Sequence, residues 1–273
     1  MPYVSDECVS TVDKKRLVVK VGTSTITNDK GEVDVRAIDL ICRTIAGIEA
    51  RGYRVILVSS GAIAVGAGKM RLAQKPEALA DKQAAAAVGQ CELMHLYDKL
   101  FSEYGRLVAQ ILLSGEDIED GVRRRNLENT FEALLQAGVI PVVNENDSVS
   151  HREIVSDRHL FSDNDTLSAQ VAILVGAGKL VILTDTEGLY DKDPRVHGDA
   201  TLISRVEKID DAVRALAEGV RSNRGTGGMV TKLEAADLAT RKGIDVLVVH
   251  GRDPENLYRV IGGDVVGTLF VAQ

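Results

Sequence analysis

The chain has 273 residues and a formal charge of −7, with 45% hydrophobic and 4% aromatic residues. That length and apolar content give one large domain or two small ones with a substantial core, and exclude a disordered chain. The acidic balance and scarcity of rings exclude a nucleic-acid surface built on a basic stripe or stacking aromatics. Three cysteines, Cys8, Cys42 and Cys91, lie far apart with no Cys-x-x-Cys pair, which fits a reduced compartment and a packing role. No apolar run reaches the roughly 18 residues of a membrane helix, and the polar, acid-bearing start is no targeting signal. The sequence therefore reads as soluble and cytoplasmic.

In chain order, short β-branched runs alternate with longer Ala/Leu patterns. "RLVVKV" (16–21) reads as a strand, 34–52 as a helix, "YRVILVSS" (53–60) as a strand and 78–104 as an Ala-rich helix. "RLVAQILLS" (106–114), "VIPVVN" (139–144), "KLVILTD" (179–185) and "IDVLVVH" (244–250) continue the strand series. Runs without polar alternation are the pattern of strands buried on both faces. The expectation is an α/β fold, a three-layer sandwich around a mainly parallel sheet. It forms one domain with two lobes, about 16–185 and about 186–273.

Ligands of open parallel sheets bind beyond the carboxyl ends of the strands, so the residues that follow each strand carry the functional signal. They are "KVGTST" (20–25), "SSGAIAVGAG" (59–68), "NENDS" (144–148) and "TDTEGLYDKDPR" (184–195), all able to offer backbone N–H groups or short polar side chains to an anion. Lys20 sits inside an otherwise apolar strand, where a charge is costly without a partner; the glycine and hydroxyls after it make it phosphate-facing. Ser60 fits a helix cap, an anion contact, or both. "NEND" is an Asx-turn cluster or a donor and acceptor set for an ammonium group or a polar small molecule. "SDND" (162–165) has capping-box spacing, which accounts for Ser162 as cap but not for Asp163 and Asn164. Asp165 is placed to orient lysines through charge-assisted hydrogen bonds.

"RGTGGMVTK" (224–232) matches neither the P-loop nor the dinucleotide fingerprint. Lys232 falls in the first turn of its helix, where the macrodipole is positive and a lysine is misplaced unless an anion docks. The five histidines, His95, His151, His159, His197 and His250, show no metal-ligand spacing, and no Gly-x-Ser-x-Gly elbow is present. Lysines, glycine turns and a carboxylate without an activated nucleophile suit phosphoryl transfer.

"KVGTS", "SSGAIA", "NEND", "SDNDTLSA", "LTDTEGLYDKDPR" and "GTGGMVTKLEAA" stand in the order and spacing of the amino-acid kinase family. The chain resembles that family over about 16–270. The resemblance implies the amino-acid kinase fold and, within it, the branch that uses ATP and Mg²⁺ to phosphorylate the side-chain carboxylate of L-glutamate. The product is L-glutamyl 5-phosphate, the first step of proline biosynthesis. Carried over motif by motif, Lys20, Lys232 and Asp165 are catalytic, and Ser60, Asp147 and Asn164 contact glutamate. Lys20, Thr184, Asp185, Thr226, Gly227, Gly228, Met229, Val230, Thr231 and Lys232 contact ATP; no protein metal ligand is expected. The same resemblance implies proline as feedback inhibitor, a homo-oligomer, and glutamyl phosphate reductase downstream, with no nucleic-acid or membrane partner.

Two departures stand out. Many members carry a C-terminal domain like those of RNA-modifying enzymes, and this sequence stops at Gln273, so regulation or assembly ascribed to that domain is not carried over. Residues 148–161 form a longer segment than the common pattern, which sets the proline response apart as an open point. The rival readings are an acetylglutamate, aspartate or uridylate kinase of the same superfamily, and a non-catalytic amino-acid sensor on the same fold. A sensor has no use for Lys20, Lys232 and Asp165 together.

Overall fold

The computed structural model describes residues 12–28, 32–149, 163–218 and 228–273. β1 (Asp13–Val21) is followed by the single turn α1 (Thr23–Ile26), α2 (Val35–Glu49) and β2 (Arg54–Ser59). Two helices, α3 (Ala62–Lys69) and α4 (Leu79–Glu103), lead to β3 (Leu107–Leu113), then α5 (Gly115–Glu119) and α6 (Gly121–Gln136) lead to β4 (Val139–Glu145). α7 (Asn164–Leu174) precedes β5 (Ala177–Thr184). The remainder is β6 (Arg205–Val206), α8 (Asp211–Glu218), α9 (Met229–Thr240), β7 (Asp245–His250), α10 (Asn256–Gly262) and β8 (Thr268–Phe270).

The eight strands found among the described residues join one sheet in the order β3-β4-β2-β1-β5-β7-β8-β6. Every pair is parallel except β7–β8. Side chains alternate across a strand, so β1 feeds two cores. Val18 packs with Leu167 and Val171 of α7 and Leu233 and Ala236 of α9. Leu17, Val19 and Val21 pack with Ile38, Ile41 and Ile45 of α2 and Leu93 of α4. Helices thus cover both faces, and the three-layer α/β sandwich read from the sequence is the one observed. Asp34 starts α2 by accepting from the Arg36 and Ala37 N–H groups, as an N-cap should.

Three features differ from the sequence reading. β3 lies at the sheet edge, and Leu107 is 66% exposed; an apolar run here does not mean burial on both faces. β6 and β8, two and three residues long, carry no periodicity to detect. Packing explains Cys42, which is buried, but not Cys91, which is exposed on α4.

The glycines of "SSGAIAVGAG" divide by role. Gly61 adopts φ 94° and turns the chain from β2 into α3. Gly66 instead lets α3 touch α4: a Cβ there would stand 1.7 Å from the Ala85 carbonyl oxygen, and one at Gly89 would stand 1.8 Å from that of Ala62. Two backbones meet with no room for a methyl group. Gly66→Ala is accordingly expected to destabilise the fold by about 3 kcal/mol through overpacking. Urea denaturation measures this, and an unchanged midpoint would mean that the helices part freely.

Candidate active site

The turns after the strands are laced to one another. Ser60 N–H donates to Val21 O (3.1 Å), Gly22 N–H to Leu183 O (3.2 Å), Gly251 N–H to Thr184 O (2.7 Å) and Asn146 N–H to Leu113 O (2.8 Å). The ladder thereby continues past the strands and fixes the row of turns that the sequence analysis singled out.

Lys20 lies in the middle of this row, its backbone in register with Val58 on one side and Ile182 on the other. As an even-numbered residue of β1 it shares the Val18 face, under α7 and α9, and is 6% exposed. Its ammonium group is 2.6 Å from Asp165 Oδ1. Lys232, 5% exposed in the first turn of α9, places its ammonium 3.1 Å from Asp165 Oδ2. Thr231 Oγ1 donates to the same Oδ2 at 2.9 Å. One carboxylate, itself 1% exposed, therefore holds two lysines from opposite sides of the site. Burial alone would raise the Asp165 carboxyl, but Lys20 and Lys232 outweigh it and hold the group at about 2. It is therefore ionised at neutral pH. The three charges sum to +1 in a buried place, a net surplus that suits an anion.

A second cluster adjoins the first. Asn164 Nδ2 reaches Ser60 Oγ (3.0 Å), Asn144 Oδ1 (3.1 Å) and Ser59 O (3.3 Å). This ties the ends of β2 and β4 to the start of α7. Asp163 caps α7, accepting from the Asp165 and Thr166 N–H groups through Oδ1. Its other oxygen and Asn164 Oδ1 are buried with no hydrogen-bond donor among the described residues. Two buried acceptors side by side in sequence call for a donor from outside, and an ammonium group meets that need.

Helix starts at the site are unlike that of α7. α1, α3 and α9 have Gly22, Gly61 and Gly228 at their N-caps, with no side-chain cap on any of them. Their first N–H groups are left to solvent or ligand.

Of the residues predicted from the sequence, Lys20, Lys232, Asp165, Ser60 and Asn164 are brought together. Asp147 is partly buried in the turn after β4. Thr184, buried at the end of β5, donates to Asp185 Oδ1 at 3.2 Å, and Asp185 is exposed. Gly228 to Lys232 form the start of α9, Met229 buried and Val230 40% exposed. Thr226, Gly227, Ser162 and the long segment from 150 onward to 161 lie outside the described residues. The helix cap of "SDND" is Asp163, in place of the expected Ser162, because α7 begins at Asn164. Ser60 precedes the N-cap Gly61 and does not cap α3. The sequence reading missed Asn144 and Ser59, although "NEND" and "SSGAIA" marked their positions, and missed Gln90 and Tyr97, which no motif announced.

The description "Amino acid kinase family" matches residues 15–250. The chain is 50% identical over 261 residues to a glutamate 5-kinase of Clostridium perfringens, covering 96% of this chain and 97% of that one. It is 48% identical to a glutamate 5-kinase of Carboxydothermus hydrogenoformans, covering 94% of this chain and 68% of the longer relative. The fold superposes on carbamate kinase from Giardia lamblia bound to AMP-PNP with a TM-score of 0.67, at 13% identity over 94% of this chain and 98% of that one. Sequence agreement along nearly the whole length, on a fold whose strand ends gather two lysines around one aspartate, leaves one assignment: the chain belongs to the amino acid kinase family.

Proposed function

We propose that this protein transfers the γ-phosphoryl group of ATP to the side-chain carboxylate of L-glutamate, giving L-glutamyl 5-phosphate and ADP, the first step of proline biosynthesis. The observation that carries this reading is the buried Lys20–Asp165–Lys232 bridge; the relatives' name supplies the acceptor and the position phosphorylated. A carboxylate acceptor has a reference pKa near ~4.3 and is already ionised at neutral pH, so the site needs no general base. It needs relief of repulsion between two anions, and preorganised positive charge provides it.

On this reading residues 16–185 form the glutamate side and 186–273 the ATP side. Ser60, Asn144, Asp147, Asp163 and Asn164 hold the amino acid, with Asp163 Oδ2 taking the α-ammonium group. Lys20, Thr184, Asp185 and the start of α9 hold the triphosphate, with Thr226 and Gly227 belonging to the same loop. Mg²⁺ fits as an ion carried on the ATP phosphates, bound largely by phosphate and water. Among the described residues no group of three His, Cys, Asp or Glu is set to hold a metal of its own. When bound, the ion adds neutralising charge between donor and acceptor. Lys20 then stabilises the group in transfer, Lys232 the leaving diphosphate, and Asp165 keeps both ammonium groups aimed without touching either substrate.

Proline as feedback inhibitor, assembly into a homo-oligomer, a cytoplasmic location and hand-over to glutamyl phosphate reductase complete the proposal. Among the described residues no helix is long and apolar enough to cross a membrane. Trapping with hydroxylamine tests the activity: L-glutamate, ATP and Mg²⁺ should yield glutamyl hydroxamate and ADP in equal amounts. ADP release with a different acid and none with glutamate would move the substrate elsewhere in the family. No transfer to any acid would favour a sensor.

A further inference from the structure

The polar atoms of the amino-acid subsite are not held by the strand ends alone. Ser59 ends β2 and Asn144 is the last residue but one of β4; the two strands run side by side, with Val143 paired to Val58 one residue earlier. Both side chains are 2% exposed and fall on the α4 face of the sheet, the face of Leu57 and Val142. Each finds one partner on α4. Asn144 Nδ2 donates to Gln90 Oε1 at 2.8 Å, and Ser59 Oγ is 2.9 Å from Tyr97 Oη. Ser59 Oγ also donates to Ser60 O at 3.2 Å. Either hydroxyl can be the donor in the Ser59–Tyr97 bond. Tyr97 is fully buried, and burial pushes its hydroxyl well above the ordinary phenol range, which keeps its proton in place.

Gln90 and Tyr97 are seven residues apart, two turns along one face of α4. They are spaced to meet two adjacent strand ends. We infer that Gln90 and Tyr97 are positioning residues for the amino-acid substrate, α4 acting through Asn144 and Ser59 to set where Asn144 Oδ1 and Ser60 Oγ stand. Those are the two side-chain oxygens that Asn164 bridges. Neither residue touches the Lys20–Asp165–Lys232 bridge. The inference rests on the proposal that this cluster binds glutamate.

The test uses the full-length protein in the hydroxamate assay, with each substrate varied in turn. Gln90→Met keeps the volume and removes the acceptor, stranding a buried Asn144 donor. It should raise the KM for glutamate about 10-fold while the KM for ATP stays within about twofold. Gln90→Glu restores the acceptor oxygen and should recover most of that loss. Tyr97→Phe removes one oxygen and keeps the ring beside Phe101, 6.3 Å between centroids. It should raise the glutamate KM about fivefold, and it carries the test if Gln90→Met does not fold. A glutamate KM unmoved in both variants, an ATP KM moving by the same factor, or a Gln90→Glu no better than Gln90→Met overturns the inference. The wild type run alongside separates the two levels. Hydroxamate from the wild type with unmoved variants overturns the tethers alone, whereas no hydroxamate from the wild type overturns the glutamate reading and this inference with it.

Discussion

Replacing Lys20 or Lys232 by alanine is expected to lower kcat by roughly 100-fold or more, with the fold retained. Each lysine brings a fixed positive charge into a site where both residues are almost fully buried. Charge already in place costs no reorganisation when the phosphoryl group moves. Because Asp165 keeps one lysine in either variant, no carboxylate is left buried and alone, and the fold tolerates the change. Steady-state kinetics with a thermal melt of each variant are the measurement. Near wild-type turnover at unchanged stability would remove that lysine from the reaction.

Asp165→Asn is expected to act on turnover and stability together. The amide fits the space, but it leaves Lys20 and Lys232 facing each other with no charge between them. Breaking a buried pair from one side costs roughly 3–5 kcal/mol. The misaimed lysines lower kcat by about 100-fold, and both KM values change less because the residue touches neither substrate. The pH dependence follows from the same carboxylate. Its pKa is depressed from 3.8 to about 2 by folding. The bridge therefore contributes fully above the unfolded value and is lost as pH falls through the folded one. Denaturation of wild type and Asp165→Asn between pH 6 and 2 should show the stability difference shrinking below about pH 4. A difference that stays constant to pH 2 would show that the charge of Asp165 is not what stabilises the fold.

Of the proposed catalytic trio, the two lysines were legible because each breaks a local rule. Lys20 interrupts an apolar strand and Lys232 opposes its helix dipole, whereas Asp165 fits a capping box with Ser162 and was marked by its place beside phosphate-facing lysines and by the family resemblance. Strand order was not legible, since an apolar run looks the same at the edge in β3 as at the centre in β1. Nor was the role of α4. Gln90 and Tyr97 read as ordinary residues of an Ala-rich helix until the Gly66–Gly89 contact sets that helix beside α3 and within reach of β2 and β4. Thr231 was found as part of a nucleotide loop, but its bond to Asp165 depends on α9 landing beside α7.

The ladder between β1 and β5, regular from Leu17 and Lys179 to Val21 and Leu183, works as a ruler. Neighbouring strands stand about 4.8 Å apart, and widening that gap would tear hydrogen bonds that neither substrate can replace. On the proposed reading, the sheet sets the reach across the site. An acceptor one carbon shorter or longer would present its carboxylate at the wrong mark, so a change of substrate length has to be met by moving the side chains that grip its far end.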